Sequence, residues 1–384
     1  MRATTNRKIM HEVTKSMLPL VPRRSVTDEL RSFLIEANED DGSITVTANN
    51  MESAMQRRFA ASVESGGRFV MDARMLVNIL AHLEGENVGF AANARTVDIT
   101  GGTCTFSMNT LACDGFPRTA IPFPGRTMKV SDIRTLYSKT CSAVDSDTDN
   151  VLSGIHLEIS PGSIKATGCD KKCIAISRND QSCGGSMKVT LPRQSLGQLA
   201  SVAGDDELEV GISGANVVFM KEGMLFSARC ISAAYVDIGR ILNSLSVAYE
   251  AKLECKDFME AVKSAVTTAS FGSETSYVKL EFGEKRLTLS TQNDVGGGEY
   301  SAEAVMIGGD AGRSFYYPAA MLKDLFKTVD GTMIAQLDPR GYLRVFNQSD
   351  TFFLTPITAM SVEKQRQKFE ESKTKVKKSA KKAA

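Results

Sequence analysis

Phe33-Leu34-Ile35-Glu36-Ala37, Ile155-His156-Leu157-Glu158-Ile159 and Val278-Lys279-Leu280-Glu281-Phe282 are three versions of one strand. Each alternates or runs apolar, as a strand with one or both faces covered does. Each leads through a turn into a second strand. Asp41-Gly42 precedes residues 43–48, Pro161-Gly162 precedes 163–167, and Gly283-Glu284 precedes 286–290. Gly, Pro and Asp between two such runs are the chemistry of a reversing chain.

A second shared signature follows about 35 residues later, where a strand runs straight into a helix. It reads Phe69-Val70-Met71-Asp72-Ala73-Arg74-Met75-Leu76-Val77-Asn78-Ile79-Leu80, then Val189-Thr190-Leu191-Pro192-Arg193-Gln194-Ser195-Leu196-Gly197-Gln198-Leu199, then Phe315-Tyr316-Tyr317-Pro318-Ala319-Ala320-Met321-Leu322-Lys323-Asp324-Leu325-Phe326. Pro192 and Pro318 sit where a first helical turn tolerates them. Paired strands come next, such as 208–212 with 217–220 and 333–337 with 343–346. Helix-periodic stretches at 7–18, 131–144 and 256–268 open the three copies. The unit is therefore helix, strands, helix, strands, an α+β domain repeated at a spacing of about 120 residues. The expected domains are 1–125, 126–248 and 249–360, with a basic tail at 361–384.

Composition agrees with a multidomain globular protein. The chain has 384 residues, 42% hydrophobic and 24% charged. No apolar run approaches the roughly 18 residues of a membrane span. The first residues lack the apolar stretch of a secretory signal, so a cytoplasmic protein with reduced thiols is expected. The eight Cys follow no disulfide framework.

Net charge is only +1, but it is unevenly placed. The tail from Ser361 holds nine Lys or Arg against three Glu, a net +6, which leaves −5 for the rest. Within that rest, the six long helices together carry +6 and the strands and loops −11. Arg7 and Lys8 open the first of those helices. Mildly basic helices with acidic strands and loops suit a protein that attracts phosphate on one face without reading bases.

With the repeat established, further stretches resemble the beta subunit of bacterial DNA polymerase III, the sliding-clamp family. Ala48-Asn49-Asn50-Met51-Glu52 is similar to the family's Ala-Thr-Asp-Leu-Glu. Phe106-Ser107-Met108-Asn109-Thr110-Leu111 with Phe116-Pro117 resembles the close of its first domain, and Val151-Leu152-Ser153-Gly154 the opening of its second. Ser227-Ala228-Arg229, Tyr235-Val236-Asp237 and Arg240-Ile241-Leu242 resemble the second domain's close. Leu354-Thr355-Pro356-Ile357 stands where the family has its terminal Met-Pro-Met.

The resemblance implies a head-to-tail homodimer of three-domain protomers closing a ring with helices inside. It implies no catalysis and no cofactor. Expected partners are encircled double-stranded DNA, a clamp loader, and the replicative polymerase and other proteins carrying a clamp-binding motif. Their peptides would dock in a pocket of Leu152, Cys169, Lys172, Ile174, Val236, Arg240, Ile241, Phe353, Thr355 and Pro356. Arg24, Arg74 and Arg193, with Arg7 and Lys8, would face DNA. Phe106 and Met108 of one protomer would meet Ala269, Ser270 and Phe271 of the other. Cys169-Asp170-Lys171-Lys172-Cys173-Ile174 departs from the family's Thr-Asp-Gly-His-Arg-Leu, which bears on partner choice rather than fold.

Competing readings are weaker on the residues. Cys169, Cys173 and Cys183 lack a fourth metal ligand, and none of the three His is nearby in sequence, so partly buried thiols on adjacent strands are expected. Gly296-Gly297-Gly298 has no Gly-Lys-Ser/Thr after it and reads as a strand connection rather than a phosphate loop. His156 is expected to be packed. No nucleophile with a base, and no convergent carboxylates, marks an enzyme. The alternative is a tandem-repeat scaffold that binds protein without encircling DNA.

Overall fold

The structure, a computed structural model, describes residues 1–25, 27–117, 121, 123–146, 150–270, 277–293 and 296–357. One element order runs through three times: strand, helix, four or five strands, helix, three strands. The first pass is β1 (Arg2–Asn6), α1 (Arg7–Met17), β2 (Ser32–Asn38), β3 (Ser43–Asn49), β4 (Ser53–Ala60), β5 (Ser62–Ser65), β6 (Gly67–Asp72), α2 (Ala73–His82), β7 (Asn87–Ala92), β8 (Thr96–Gly101) and β9 (Cys104–Asn109). The second is β10 (Met128–Val130), α3 (Ile133–Thr140), β11 (Gly154–Ser160), β12 (Ser163–Cys169), β13 (Cys173–Asp180), β14 (Met187–Pro192), α4 (Arg193–Ala203), β15 (Leu208–Ser213), β16 (Asn216–Lys221) and β17 (Met224–Arg229). A short connecting helix, α5 (Ile238–Asn243), precedes the third. That pass is β18 (Tyr249–Glu254), α6 (Cys255–Ser270), β19 (Tyr277–Phe282), β20 (Arg286–Gln292), β21 (Gly297–Gly309), β22 (Arg313–Pro318), α7 (Ala319–Phe326), β23 (Thr332–Leu337), β24 (Leu343–Phe346) and β25 (Asp350–Leu354).

The chain packs as two compact units whose boundary passes through the second repeat. The first holds Met1–Tyr137, Leu157–Ile164 and Asp180–Ala233; the second holds Ser138–His156, Lys165–Asn179 and residues from Ala234 onward.

In the first unit, one antiparallel sheet has the order β5-β1-β7-β8-β9 and the other β10-β15-β16-β17-β4-β3-β2-β6. Apolar faces of both sheets bury Phe33, Phe69, Phe90, Phe219 and Phe226 almost completely. Helix α1 covers this core with Met10, Val13, Thr14 and Met17, residues three and four apart on one face. Asn6 caps its start by accepting hydrogen bonds from the amides of Lys8 and Ile9. Asp72 does the same for α2, accepting from Met75 N at 2.9 Å. Pro192 and Pro318 are the cap residues of α4 and α7 and so stand one position before the first turn expected for them.

In the second unit the sheet runs β13-β25-β24-β23-β18-β21-β20-β19-β22. Helix α6 buries Phe258, Val262, Ala265 and Ala269, and Phe258 meets Phe326 of α7 edge to face at 5.5 Å. Two deeply buried phenols are satisfied: Tyr249 donates to Gly283 O at 2.8 Å and Tyr317 to Gly341 O at 2.7 Å. Gly297 and Gly298 open β21 rather than connect strands. They lie in the ladder with β20, opposite Gln292 and Thr291.

Candidate functional site

Within the second unit, strands β13 and β25 pair so that Ile174 stands opposite Phe353. Both side chains are buried, at 2% and 5% exposure, and with Cys169 and Ile238 they form a small apolar cluster. Leu152, Ile176, Tyr235, Leu242, Leu245 and Tyr342 pack against it. Above this floor opens a cavity of about 260 Å³. Cys169, Lys172, Ile174, Ile241, Phe353 and Thr355 line it, and Leu152 belongs to the cluster beneath. Val236, Arg240 and Pro356 stand outside the lining.

Local chemistry explains the rim. The turn joining β12 to β13 is held by Asp170, whose carboxylate accepts the amides of Lys172 and Cys173, both at 2.6 Å. This leaves Lys171 and Lys172 exposed. Helix α5 is capped by Asp237, which accepts from Arg240 N at 3.1 Å, and presents Ile241 at 39% exposure. The third wall is Arg340 and Tyr342. Asp338 accepts two hydrogen bonds from the Arg340 guanidinium, each 2.9 Å, and the guanidinium lies 4.7 Å over the Tyr342 ring. That pairing holds the Asp338 carboxyl below the usual carboxylate range. Burial, with the Asp170 charge nearby, pushes the Cys169 thiol up to about 12, and burial also raises Cys173. Both are therefore neutral, weakly reactive thiols. They lie on adjacent strands, as expected from the sequence. His156 is packed: its ring stacks on Tyr235 at 4.8 Å, with 7° between the planes.

The basic residues on the helices and in the loop after α1 divide into two groups. Arg7 donates to Gly85 O at 2.9 Å and Leu80 O at 3.2 Å, binding carbonyls at the end of α2 and just beyond it. Arg74 donates to Val21 O at 3.1 Å and Pro22 O at 3.2 Å. Both are half-buried and already hold the first unit together. Lys8, Arg24 and Arg193 are exposed. Phe106 and Met108 lie half-buried on β9, the last strand of its sheet. Ala269 is 5% exposed on the core face of α6, and Ser270 donates to Val266 O at 2.7 Å. Phe271 falls outside the described residues.

A family model described as the N-terminal domain of the DNA polymerase III beta subunit matches residues 1–121. The beta sliding clamp of Synechococcus elongatus is 21% identical over 300 residues, covering 75% of this chain and 80% of that protein. The beta sliding clamp of a Synechocystis strain is 23% identical over 318 residues, covering 75% and 81%. Among solved structures, the Bacillus subtilis DNA polymerase sliding clamp superposes with a TM-score of 0.84 at 19% identity, over 94% of this chain and 99% of that one. The Thermotoga maritima DNA polymerase III beta subunit gives 0.83 at 18%, over 93% and 99%.

The chain is similar in sequence to the beta sliding clamps and shares their fold. Its clamp fold is α+β throughout, and the repeated strand–helix order is how three similar stretches of sequence build it. Sequence reasoning missed Arg340, Tyr342, Ser244 and Leu245 of the pocket wall. Asp338-Pro339-Arg340-Gly341 reads as an ordinary turn, and nothing in its spacing points to a binding wall. Arg340 matters only because the fold carries that turn to the mouth of the pocket. The one available signal was aromatic: Tyr342 directly precedes β24 and Phe353 lies on β25, and their rings meet at 5.6 Å.

Proposed function

We propose that this chain is a sliding clamp: a non-catalytic ring that encircles duplex DNA and tethers the replicative polymerase and other replication or repair proteins. Three tandem domains, bounded near residues 125 and 248 and ending near 360, would form each half of a head-to-tail dimer. The observation that carries this reading is a strand joint made twice within the chain and left open a third time.

At the first joint β17 pairs with β4, with Phe226 opposite Met55 and Ala228 opposite Ser53. At the second β25 pairs with β13, with Phe352 opposite Ala175 and Leu354 opposite Cys173. By position in the repeat, β9 is the counterpart of β17 and β25, and the start of β21 is the counterpart of β4 and β13. Phe106 thus matches Phe226 and Phe352. Those two are fully buried, whereas Phe106 is only half-buried. β9 ends its sheet, and residues 297–303 of β21 ladder only with β20 among the described residues. An unpaired edge is a template for another strand.

The register of the two internal joints, carried over through the matching turns Asn50–Ser53, Asp170–Cys173 and Asn293–Gly296, would place Phe106 opposite Gly298 of the partner subunit and Met108 opposite Gly296 of the partner subunit. This moves the partner side of the interface from Ala269 and Ser270, which serve their own helix, to the strand edge. Two such heterologous contacts close a dimer. The helices and the loop after α1 would then face DNA with Lys8, Arg24 and Arg193 as cations unpaired among the described residues, while Arg7 and Arg74 offer only the donors their carbonyl bonds leave over.

Sedimentation equilibrium on the Phe106→Asp, Met108→Asp double variant tests this. A monomer that keeps its secondary structure is the expected result, and an intact dimer would overturn the interface. A scaffold that does not encircle DNA would leave this open pair of matching edges unexplained.

A further inference from the structure

The outer face of the second unit's sheet carries a feature that the fold does not require. Cross-strand register aligns Phe346, Ile334, Lys252 and Val305 in one row across β24, β23, β18 and β21. Val305 is 68% exposed. Ile307, at 57%, is the extra residue of a β-bulge between the Ala251–Met306 and Glu250–Gly308 pairs. Ile334 and Phe346 are half-buried, and the row borders a groove of about 740 Å³ that Lys252, Ile307, Ile334 and Phe346 help to line. Arg344 stacks on Phe346 at 4.3 Å and shields one end.

The first repeat supplies an internal control. Lys252 stands two residues before Glu254, which directly precedes α6, as Thr4 stands two before Asn6, which directly precedes α1. The matching row there is Thr100, Gly89, Thr4 and Ser62, all small or polar. The same architecture therefore forms without apolar side chains on this face. Exposed apolar rows with no packing role mark interaction surfaces.

We propose that this row docks an amphipathic helix from a partner protein, with an acidic residue in its apolar stripe. Three observations fix that chemistry. The Lys252 side chain makes no hydrogen bond or ion pair among the described residues, and its cross-strand neighbours Ile334 and Val305 are apolar. A carboxylate flanked by apolar side chains complements that order. The strands are spaced about 4.8 Å apart, and a helix presents one residue per turn about 5.4 Å along its axis. A helix lying across the strands would therefore set an anchor over Phe346 and Ile334, its carboxylate over Lys252, and an anchor over Val305 and Ile307. Finally, α6 and α7 already cover the opposite face, so a helix here completes a third layer.

The test uses the full chain and a stapled, fluorescein-labelled, alanine-rich peptide of about 16 residues carrying Leu, Glu and Leu one turn apart. Anisotropy titrations compare it with its Glu→Lys form and with a scrambled peptide of the same composition. Val305 and Lys252 are exposed, so Val305→Asp and Lys252→Glu are expected to keep the parent melting temperature. Val305→Asp should weaken binding at least about tenfold, and Lys252→Glu should shift the preference to the Glu→Lys peptide. Equal binding of the scrambled peptide, or indifference to both substitutions, would overturn the proposal. So would a fall in the particle mass of the free protein on Val305→Asp, since that would assign the face to a second copy of this chain.

Discussion

Ile174 lies under the pocket rather than on its rim, and this changes what a substitution there can report. At 2% exposure and paired with Phe353, Ile174→Asp would bury an unpaired charge in the fold itself. Ile241 is the better probe, because it lines the cavity at 39% exposure. Ile241→Asp should weaken a clamp-binding peptide by about 1–2 kcal/mol with little change in melting temperature. The rim carries Lys171 and Lys172, unpaired among the described residues, and Arg340 paired, so a peptide with an acidic residue beside its apolar anchor should lose affinity when both lysines become Glu. Fluorescence titration of acidic and neutral peptides checks this; equal losses for both would remove charge from the explanation. The thiols give a separate readout. With Cys169 pushed up to about 12 and buried, iodoacetamide at pH 8 should label the exposed Cys104 well before Cys169, as peptide mass mapping would show. Asp338 supplies a pH dependence. Its folded carboxyl sits below the ordinary range, so its stabilising contribution is full above the unfolded value near 4 and is lost as pH falls through the lower folded value. The melting-temperature gap between the parent and Asp338→Asn should therefore narrow only in strongly acidic buffer.

Most helices and strands with strong periodicity were legible almost to their ends, whereas the stretch 131–144 shortened to α3 over Ile133–Thr140. The stretch 256–268 became α6 over Cys255–Ser270, and 343–346 became β24 unchanged. What escaped was set by tertiary context. The triple glycine reads as a break, yet β20 and β18 supply ladder partners that extend β21 to 13 residues. The connecting helix α5 is too short to show a period and is recognisable only from its Asp237 cap. The β13–β25 joint contains a polar lock that no local pattern announces. Lys139 at the end of α3 and Ser177 of β13 each lie 2.7 Å from the carboxylate of Asp350, which opens β25. That carboxylate is 6% exposed. Lys139→Ala would leave it without its cation and should cost about 3 kcal/mol in urea unfolding, most of it recovered by adding Asp350→Asn.

For the molecule as a whole, the repeat in the sequence disclosed the clamp fold, but charge averages misled about individual residues. Arg7 and Arg74 count as basic helix charge, yet their guanidiniums tie backbone carbonyls within the first unit. Replacing Lys8, Arg24 and Arg193 together should therefore weaken sequence-blind binding to duplex DNA and lower its salt slope by about 0.9 per lost phosphate contact. Replacing Arg7 or Arg74 should mainly lower stability. Encirclement itself is tested most directly on nicked circular plasmid DNA, with the protein loaded by a bacterial clamp loader and separated by gel filtration. The expected result is a protein that co-elutes with the circle and leaves it after a single cut linearises the DNA. Protein that stays on the linear product, or a dimer that is never retained on the circle, would contradict a clamp that holds DNA by topology.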